Sequence, residues 1–204
     1  GYTWNAKGEE VTFTYAGQDT PVVDEEVTFK NERQKVSITV EKQDAETGSV
    51  VAGAVFGLYN KKEIKSGNKV IVKADTLLQE MTSDENGMAT CTLDLPFGEY
   101  YVKELKAPEG FVSSDEVLEF VAEYQGQETK IVSLQAVKKN EPTTAEFTKS
   151  DLTTGVELNG ASLSVLDKDG NVIDSWTSVK DEPHVIKYLT VGKTYILRES
   201  LAPL

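Results

Sequence analysis

This sequence has little of what reactive sites are usually built from. Among 204 residues there is one cysteine, Cys91, and one histidine, His184. A single cysteine excludes an intrachain disulfide framework. In TCTLDL it alternates with Thr90 and Thr92, the pattern of a buried thiol in a strand and not of a reactive one. A single histidine with no cysteine beside it makes no zinc site, and after the proline of KDEPHV it reads as a loop or strand-edge residue. No Ser, His and Asp set at turn positions supports an enzyme acting on an external substrate. No apolar run reaches 18 residues, so nothing here spans a bilayer as a helix, and these residues include no signal peptide, which a mature fragment would have lost. Basic residues are outnumbered 34 to 21, and the net charge of -13 argues against nucleic acid and anionic membranes as partners. The acidic stretches 19–26 and 116–123 lack the spacing of a calcium loop and read as solvated loops and strand faces.

What is present is alternation. EEVTFTYAG, KVSITVEK, AVFGLY, GEYYVKE, VLEFVAEY, ASLSVLD and KTYILRE each place apolar residues at every second position, the period of a half-buried strand. DENG (84–87) and DKDG (167–170) read as hairpin turns. Segment 61–80 is less regular and reads as a loop with a short strand or helical turn. Tyr59, Phe97, Tyr100 and Phe120 read as core aromatics. The chain is predicted to be all-β.

It also repeats itself. EKQDAETGSVVAGAVFGLYN (41–60) matches TKSDLTTGVELNGASLSVLD (148–167), and YYVKELKAP (100–108) matches YILRESLAP (195–203). Two copies of one module are therefore expected. The first copy continues to residue 141, whereas the second lacks a last part that residues 1–32 resemble. Glu104 precedes Asn140 by 36 positions, and Glu199 precedes Asn31 by the same 36 if Leu204 is followed by Gly1. The predicted organisation is a complete module at 33–141 and a split one, with its N-terminal part at 142–204 and its C-terminal strands at 1–32. The missing strands come from a neighbouring copy, joined head-to-tail either as one repeat of a longer array or as a separate chain.

Alternation puts some charged residues on core faces. Val36, Ile38 and Val40 share their face with Lys42; Tyr100 and Val102 share theirs with Glu104; Phe147 with Lys149; Tyr195 and Leu197 with Glu199; Val27 and Phe29 with Asn31. The parity of Asn140 is less clean, because Lys138 shares it and suggests a bulge or an edge. A charged lysine and glutamate inside a sandwich cost several kcal/mol, on the order of the penalty for any unpaired buried ion. Either they pair or they react.

The order K-x-D-x-x-T-G, G-A-x-[FL]-x-[LV], G-x-Y-x-[VL]-x-E-x-x-A-P-x-G-[FY] and a final strand ending in N-E resembles the collagen-adhesin B-type module. These prealbumin-like, immunoglobulin-like β-sandwiches occur in tandem in Gram-positive surface adhesins and sortase-built pilins. The resemblance covers essentially the whole chain, and it implies a self-formed isopeptide bond between a first-strand lysine and a last-strand asparagine, promoted by an acid. Lys42, Glu104 and Asn140 fall on those positions in the complete module. Lys149, Glu199 and Asn31 fall on them in the split one. Burial that lowers a lysine pKa makes the amine a nucleophile, and a protonated glutamic acid hydrogen-bonding the carboxamide oxygen can pass a proton to the departing ammonia. No cofactor or metal is needed, and the reaction happens once per module.

The function implied is a structural stalk or shaft module of an extracellular, cell-wall-attached adhesin or pilin, with its anchor outside this segment and neighbouring modules as partners. Two other readings share the sequence: an adhesin module that binds a host protein or glycan, for which 61–80 is the candidate loop, and an engineered scaffold for covalent assembly.

Overall fold

The computed structural model describes residues 1–4, 7–14, 16–19 and 26–202. Every regular element among them is a strand. In the complete module these are β1 (Lys35–Asp44), β2 (Val55–Asn60), β3 (Ile64–Ser66), β4 (Lys69–Val72), β5 (Leu77–Thr82), β6 (Met88–Thr90), β7 (Gly98–Lys106), β8 (Val117–Ala122) and β9 (Ile131–Asn140). β6, β1 and β9 form one sheet; β5, β2, β7 and β8 form the other. β1 and β9, first and last, run parallel in unbroken register from Lys35 against Ile131 to Asp44 against Asn140.

The core lies between these sheets. Ile38 and Val40 from β1 meet Phe56 and Leu58 from β2, Tyr100 and Val102 from β7 and Phe120 from β8, all buried. Period-two alternation delivers one face of each strand to this layer, and each large side chain removed from water contributes about 1.5 to 3 kcal/mol. Cys91 is part of that core, its thiol 3.3 Å from Gln79 Oε1 and pushed up in pKa by burial. Phe97 packs partly buried against it. Tyr59 is a correction: it stands on the other face of β2, stacked on Tyr101 with ring centres 5.1 Å apart, while the neighbouring Phe56 and Leu58 point inward.

Two turn assignments also divide. DKDG joins strands that pair, as a hairpin should. DENG instead carries the chain from β5 in one sheet to β6 in the other, with Gly87 at φ 76° taking the left-handed position. Alternation reveals a turn between strands but not which sheet each strand joins. Segment 61–80 holds no helix: β3 and β4 pair there as a short antiparallel ribbon.

The second unit contains β10 (Thr144–Phe147), β11 (Ser162–Leu166), β12 (Val172–Thr177), β13 (His184–Lys187) and β14 (Ile196–Leu201). β10 pairs with β13, and β12, β11 and β14 form a second sheet in that order. These strands are the counterparts of β1, β6, β5, β2 and β7. His184 stacks on Trp176 at 4.3 Å and bonds Asp174 at 2.8 Å. Among the described residues nothing corresponding to β8 or β9 lies beside β14 or β10. Residues 11–14 and 26–31 form no strand, and Phe13 and Phe29 are exposed. Leu204 lies outside the described residues.

Candidate functional site

Lys42 sits near the end of β1 on its buried face, and its whole side chain is inaccessible to water. Its amine donates to the Gln43 carbonyl oxygen at 2.8 Å and lies 5.2 Å from the centre of the Phe111 ring. Burial drives this amine below the ordinary lysine value; the like charge of Lys138 adds to that shift, and the carboxylates of Glu104 and Asp44 oppose it.

Glu104 reaches the same space from the opposite sheet. A bulge between Val55 and Phe56 shifts the register of β2 on β7 beside it, and an equivalent shift between Ser162 and Leu163 lies beside Glu199, so both modules use the same device to aim the acid. Both Glu104 carboxyl oxygens accept from Asn140 Nδ2 at 2.8 Å, and Oε2 also accepts from the Ser114 N–H at 3.0 Å. Asn140 Oδ1 is buried without a hydrogen-bond partner among the described residues. The acid therefore faces the amide nitrogen and not the amide oxygen expected from the sequence.

Lys42, Glu104 and Asn140 are thus brought together, and Asn140 needs no bulge to be there. The register of β1 on β9 is continuous, and Lys138 belongs to the buried face with it. Lys138 was legible as core-facing, since it shares parity with Val132 and Leu134. Its amine is held by Ser114 Oγ at 2.8 Å, the Glu116 carbonyl oxygen at 3.2 Å and Glu116 Oε2 at 2.7 Å.

In the split unit Lys149 and Glu199 meet at 3.5 Å, but their side chains are 30% and 35% exposed. None of the described hydrogen bonds or strand pairings connects either of them to Asn31. No cluster of potential metal ligands occurs among the described residues, and no helix there is long and apolar enough to cross a membrane.

The modules are joined by a tied junction. The Tyr188 hydroxyl donates to Asp44 Oδ2 at 2.8 Å, its ring packs edge-on against Phe111 at 5.5 Å, and Lys187 bonds Glu46. Burial alone raises the Asp44 carboxyl, yet the Tyr188 hydroxyl and the Glu46 and Thr47 N–H groups outweigh it and leave the group below the ordinary aspartate value. Gly110, at φ 82°, lies so close to Tyr188 that a Cβ there would come 2.7 Å from its carbonyl oxygen. Around this turn Val112 N donates to Glu141 O, Thr143 N donates to Gly110 O, and Phe111 bridges Pro142. Residues 1–4 and 32–34 repeat the same set: Thr3 N to Glu32 O, Gln34 N to Gly1 O, and a Tyr2–Arg33 bridge.

The family model described as SpaA, prealbumin-like fold domain, matches residues 36–137 and again residues 143–204. Among solved structures the chain is similar to the Bacillus anthracis TIE protein, at 26% identity and a TM-score of 0.52 over 85% of this chain and 29% of that one. It is also similar to the group B streptococcus pilus 2b backbone protein, at 24% and 0.41 over 63% and 46% of the two chains. A third is the major pilin SpaD from Corynebacterium diphtheriae, at 21% and 0.43 over 66% and 41%. The chain spans less than half the length of each. No curated protein sequence matches it.

Proposed function

Because the chain belongs to the SpaA prealbumin-like fold domain family, we propose that it is a load-bearing stalk segment of a Gram-positive surface adhesin or pilin, and that its complete module seals itself with a Lys42–Asn140 isopeptide bond. One observation carries this reading: a lysine amine wholly removed from water in a core that also holds a glutamate–asparagine pair. Neutral Lys42 Nζ attacks Asn140 Cγ, the Nζ–Cγ bond forms, and the Cγ–Nδ2 bond breaks. One amine proton passes through Glu104 to Nδ2, which leaves as ammonia. Packing supplies the proximity that a catalyst would otherwise provide. The product ties the first strand to the last, so tension bypasses the sheets between them, as suits a surface protein under shear.

Mass spectrometry of the intact folded protein tests it. The expected mass lies about 17 Da below the sequence mass, the ammonia lost in acyl transfer, with a tryptic peptide pair joined through Lys42 and Asn140. Unlinked peptides from folded protein overturn the crosslink.

The split unit points to a second copy as partner. Residues 1–4 and 32–34 already hold the hydrogen bonds of a module junction, and β10 and β14 each have a free edge among the described residues. Residues 11–14 and 26–31 of a neighbouring copy, which form no strand in the single chain, complete the sandwich there by adding to its edges, bringing its Asn31 to Lys149 and Glu199. The contact is heterologous and propagates head-to-tail. Denaturing electrophoresis of the separate 204-residue chain decides whether the bond forms between chains: a ladder in steps of 22.4 kDa that Lys149→Ala abolishes is expected, and a single monomer band overturns it.

A further inference from the structure

Two lysines are buried side by side in this core. Lys42 and Lys138 are register partners on neighbouring parallel strands, and each is almost wholly inaccessible to water. Their surroundings differ. Lys42 has one carbonyl oxygen as acceptor, whereas Lys138 has a hydroxyl, a carbonyl and a carboxylate within 3.2 Å. Crosslinking uses only the first, which leaves the second to be explained, since burying a lysine stem and its ammonium is costly unless the ammonium is well paired.

Its partners connect it to the acid. Ser114 accepts from Lys138 through its hydroxyl and donates to Glu104 Oε2 through its backbone N–H. Glu104 in turn holds Asn140. Ser114 and Glu116 lie in the segment between the AP-x-G turn and β8; Phe111 and Val112 at its start are tied to Pro142 and Glu141, and from there to Val117 no strand pairs with it. Lys138 fastens that unpaired stretch to the sandwich through Ser114 and Glu116.

We propose that Lys138 is a positioning residue of the crosslinking site: it braces the 111–116 segment through Ser114 and Glu116, so that Ser114 holds Glu104 against Asn140, and it sets a positive charge beside Lys42. This rests on the crosslink reading above for its purpose, but not for its geometry. The charged groups facing Lys42 are Glu104 from β7, Asp44 on its own strand and Lys138 from β9; Tyr188 reaches it only through Asp44, and Glu116 only through Lys138. Of these Lys138 alone disfavours a charged Lys42. It therefore serves the reaction twice, by orienting the acid and by keeping the nucleophile neutral.

The test has two arms. In the Asn140→Ala protein, which cannot crosslink, the Lys42 amine is titrated by NMR of lysines labelled at Cε, with Lys42→Arg giving the assignment. Lys138→Met in that background is expected to move the Lys42 midpoint to higher pH, and Lys138→Arg to leave it near its starting place. A midpoint that Lys138→Met does not move overturns the proposal whether or not the native protein crosslinks. In the second arm the loss of ammonia is followed over time after refolding. Lys138→Met is expected to slow it at least about tenfold, the scale on which misplaced catalytic groups act, and to shift the pH–rate profile to higher pH. Glu116→Gln changes a side chain that is 66% exposed and leaves folding intact; it is expected to slow crosslinking as well. Native rates in both variants overturn the bracing role. A native protein that never loses ammonia sinks the crosslink reading, and the titration arm still decides whether Lys138 acts on Lys42.

Discussion

In the first module β7 lies between β2 and β8 and its Val102 is 1% exposed, whereas in the second, among the described residues, β14 has β11 alone beside it and the corresponding Leu197 is 54% exposed. The motif is the same and the strand is the same. The acid–lysine pair follows the difference: Lys42 is sealed from water, and Lys149 is open to it. Local sequence places a lysine and a glutamate on facing sheets, but only the last two strands turn that meeting place into an interior. Chemistry that depends on desolvation therefore belongs to the module as a whole and not to the motif.

The comparison breaks most visibly at the crosslink. Glu104→Gln is expected to leave a folded β-sandwich that retains its ammonia, since a carboxamide can accept hydrogen bonds but cannot carry the proton. The proposed bond would close a loop spanning 98 positions from Lys42 to Asn140, a closure that stabilises by roughly 4 to 5 kcal/mol in the chain-entropy picture developed for disulfides. Denaturant unfolding of the variant should fall short of the native protein by about that much. Native stability together with native mass would remove the glutamate from the reaction.

A smaller contrast lies in matched truncations. Val102→Ala is expected to cost about 2 kcal/mol, through lost burial and the cavity left behind. Leu197→Ala in the separate chain is expected to cost less than about 0.5 kcal/mol, as for other surface substitutions. When a neighbouring copy completes the split module the second figure should rise toward the first. Equal costs in the separate chain would mean that β14 is already covered.

The smallest expected effect is in pH. In the uncrosslinked Asn140→Ala protein the folded state holds Lys42 below its ordinary pKa, so between the lowered and the ordinary value the unfolded chain binds more protons. Stability should rise with pH through that window, fall as pH drops back through it, and be flat in this group's contribution on either side. Adding Lys42→Met should flatten this dependence, and the crosslinked protein, with no amine to titrate, should lack it. Thermal unfolding across neutral to alkaline pH, taken as the difference between these proteins, measures it.

Much of this was legible in the sequence. Parity alone put Lys42 and Glu104 on core faces, because a strand's alternation is local and survives whatever the strand packs against. Repetition pointed to the second lysine and acid, Lys149 and Glu199, which do meet, whereas nothing among the described contacts joins Asn31 to them. Other features depended on pairings that local pattern does not carry. DENG was readable as a turn, but which sheet receives β6 is settled by β1, over forty residues away. Tyr59 has the size of a core residue and the parity of a surface one, and its size misled. Lys138 has the right parity, but a lysine there reads as a bulge or an edge, and the partners that let it be buried, Ser114 and Glu116, come from a segment with no strand pattern at all.

The parallel pairing of β1 and β9 places Lys42 and Asn140 at the same end of their two strands, and a bond between them, as proposed, would fix how far a pulled module can lengthen. With the proposed bond, a force that enters before Lys35 and leaves after Asn140 would run along β1 as far as Lys42 and cross there to β9. Without that crossing, 98 residues would be free to unravel, each adding about 3.3 to 3.6 Å, or roughly 330 Å in all. With it, that length would be held permanently in reserve. A string of such modules would behave as a cord of nearly constant length, whose only slack lies in the joints between modules.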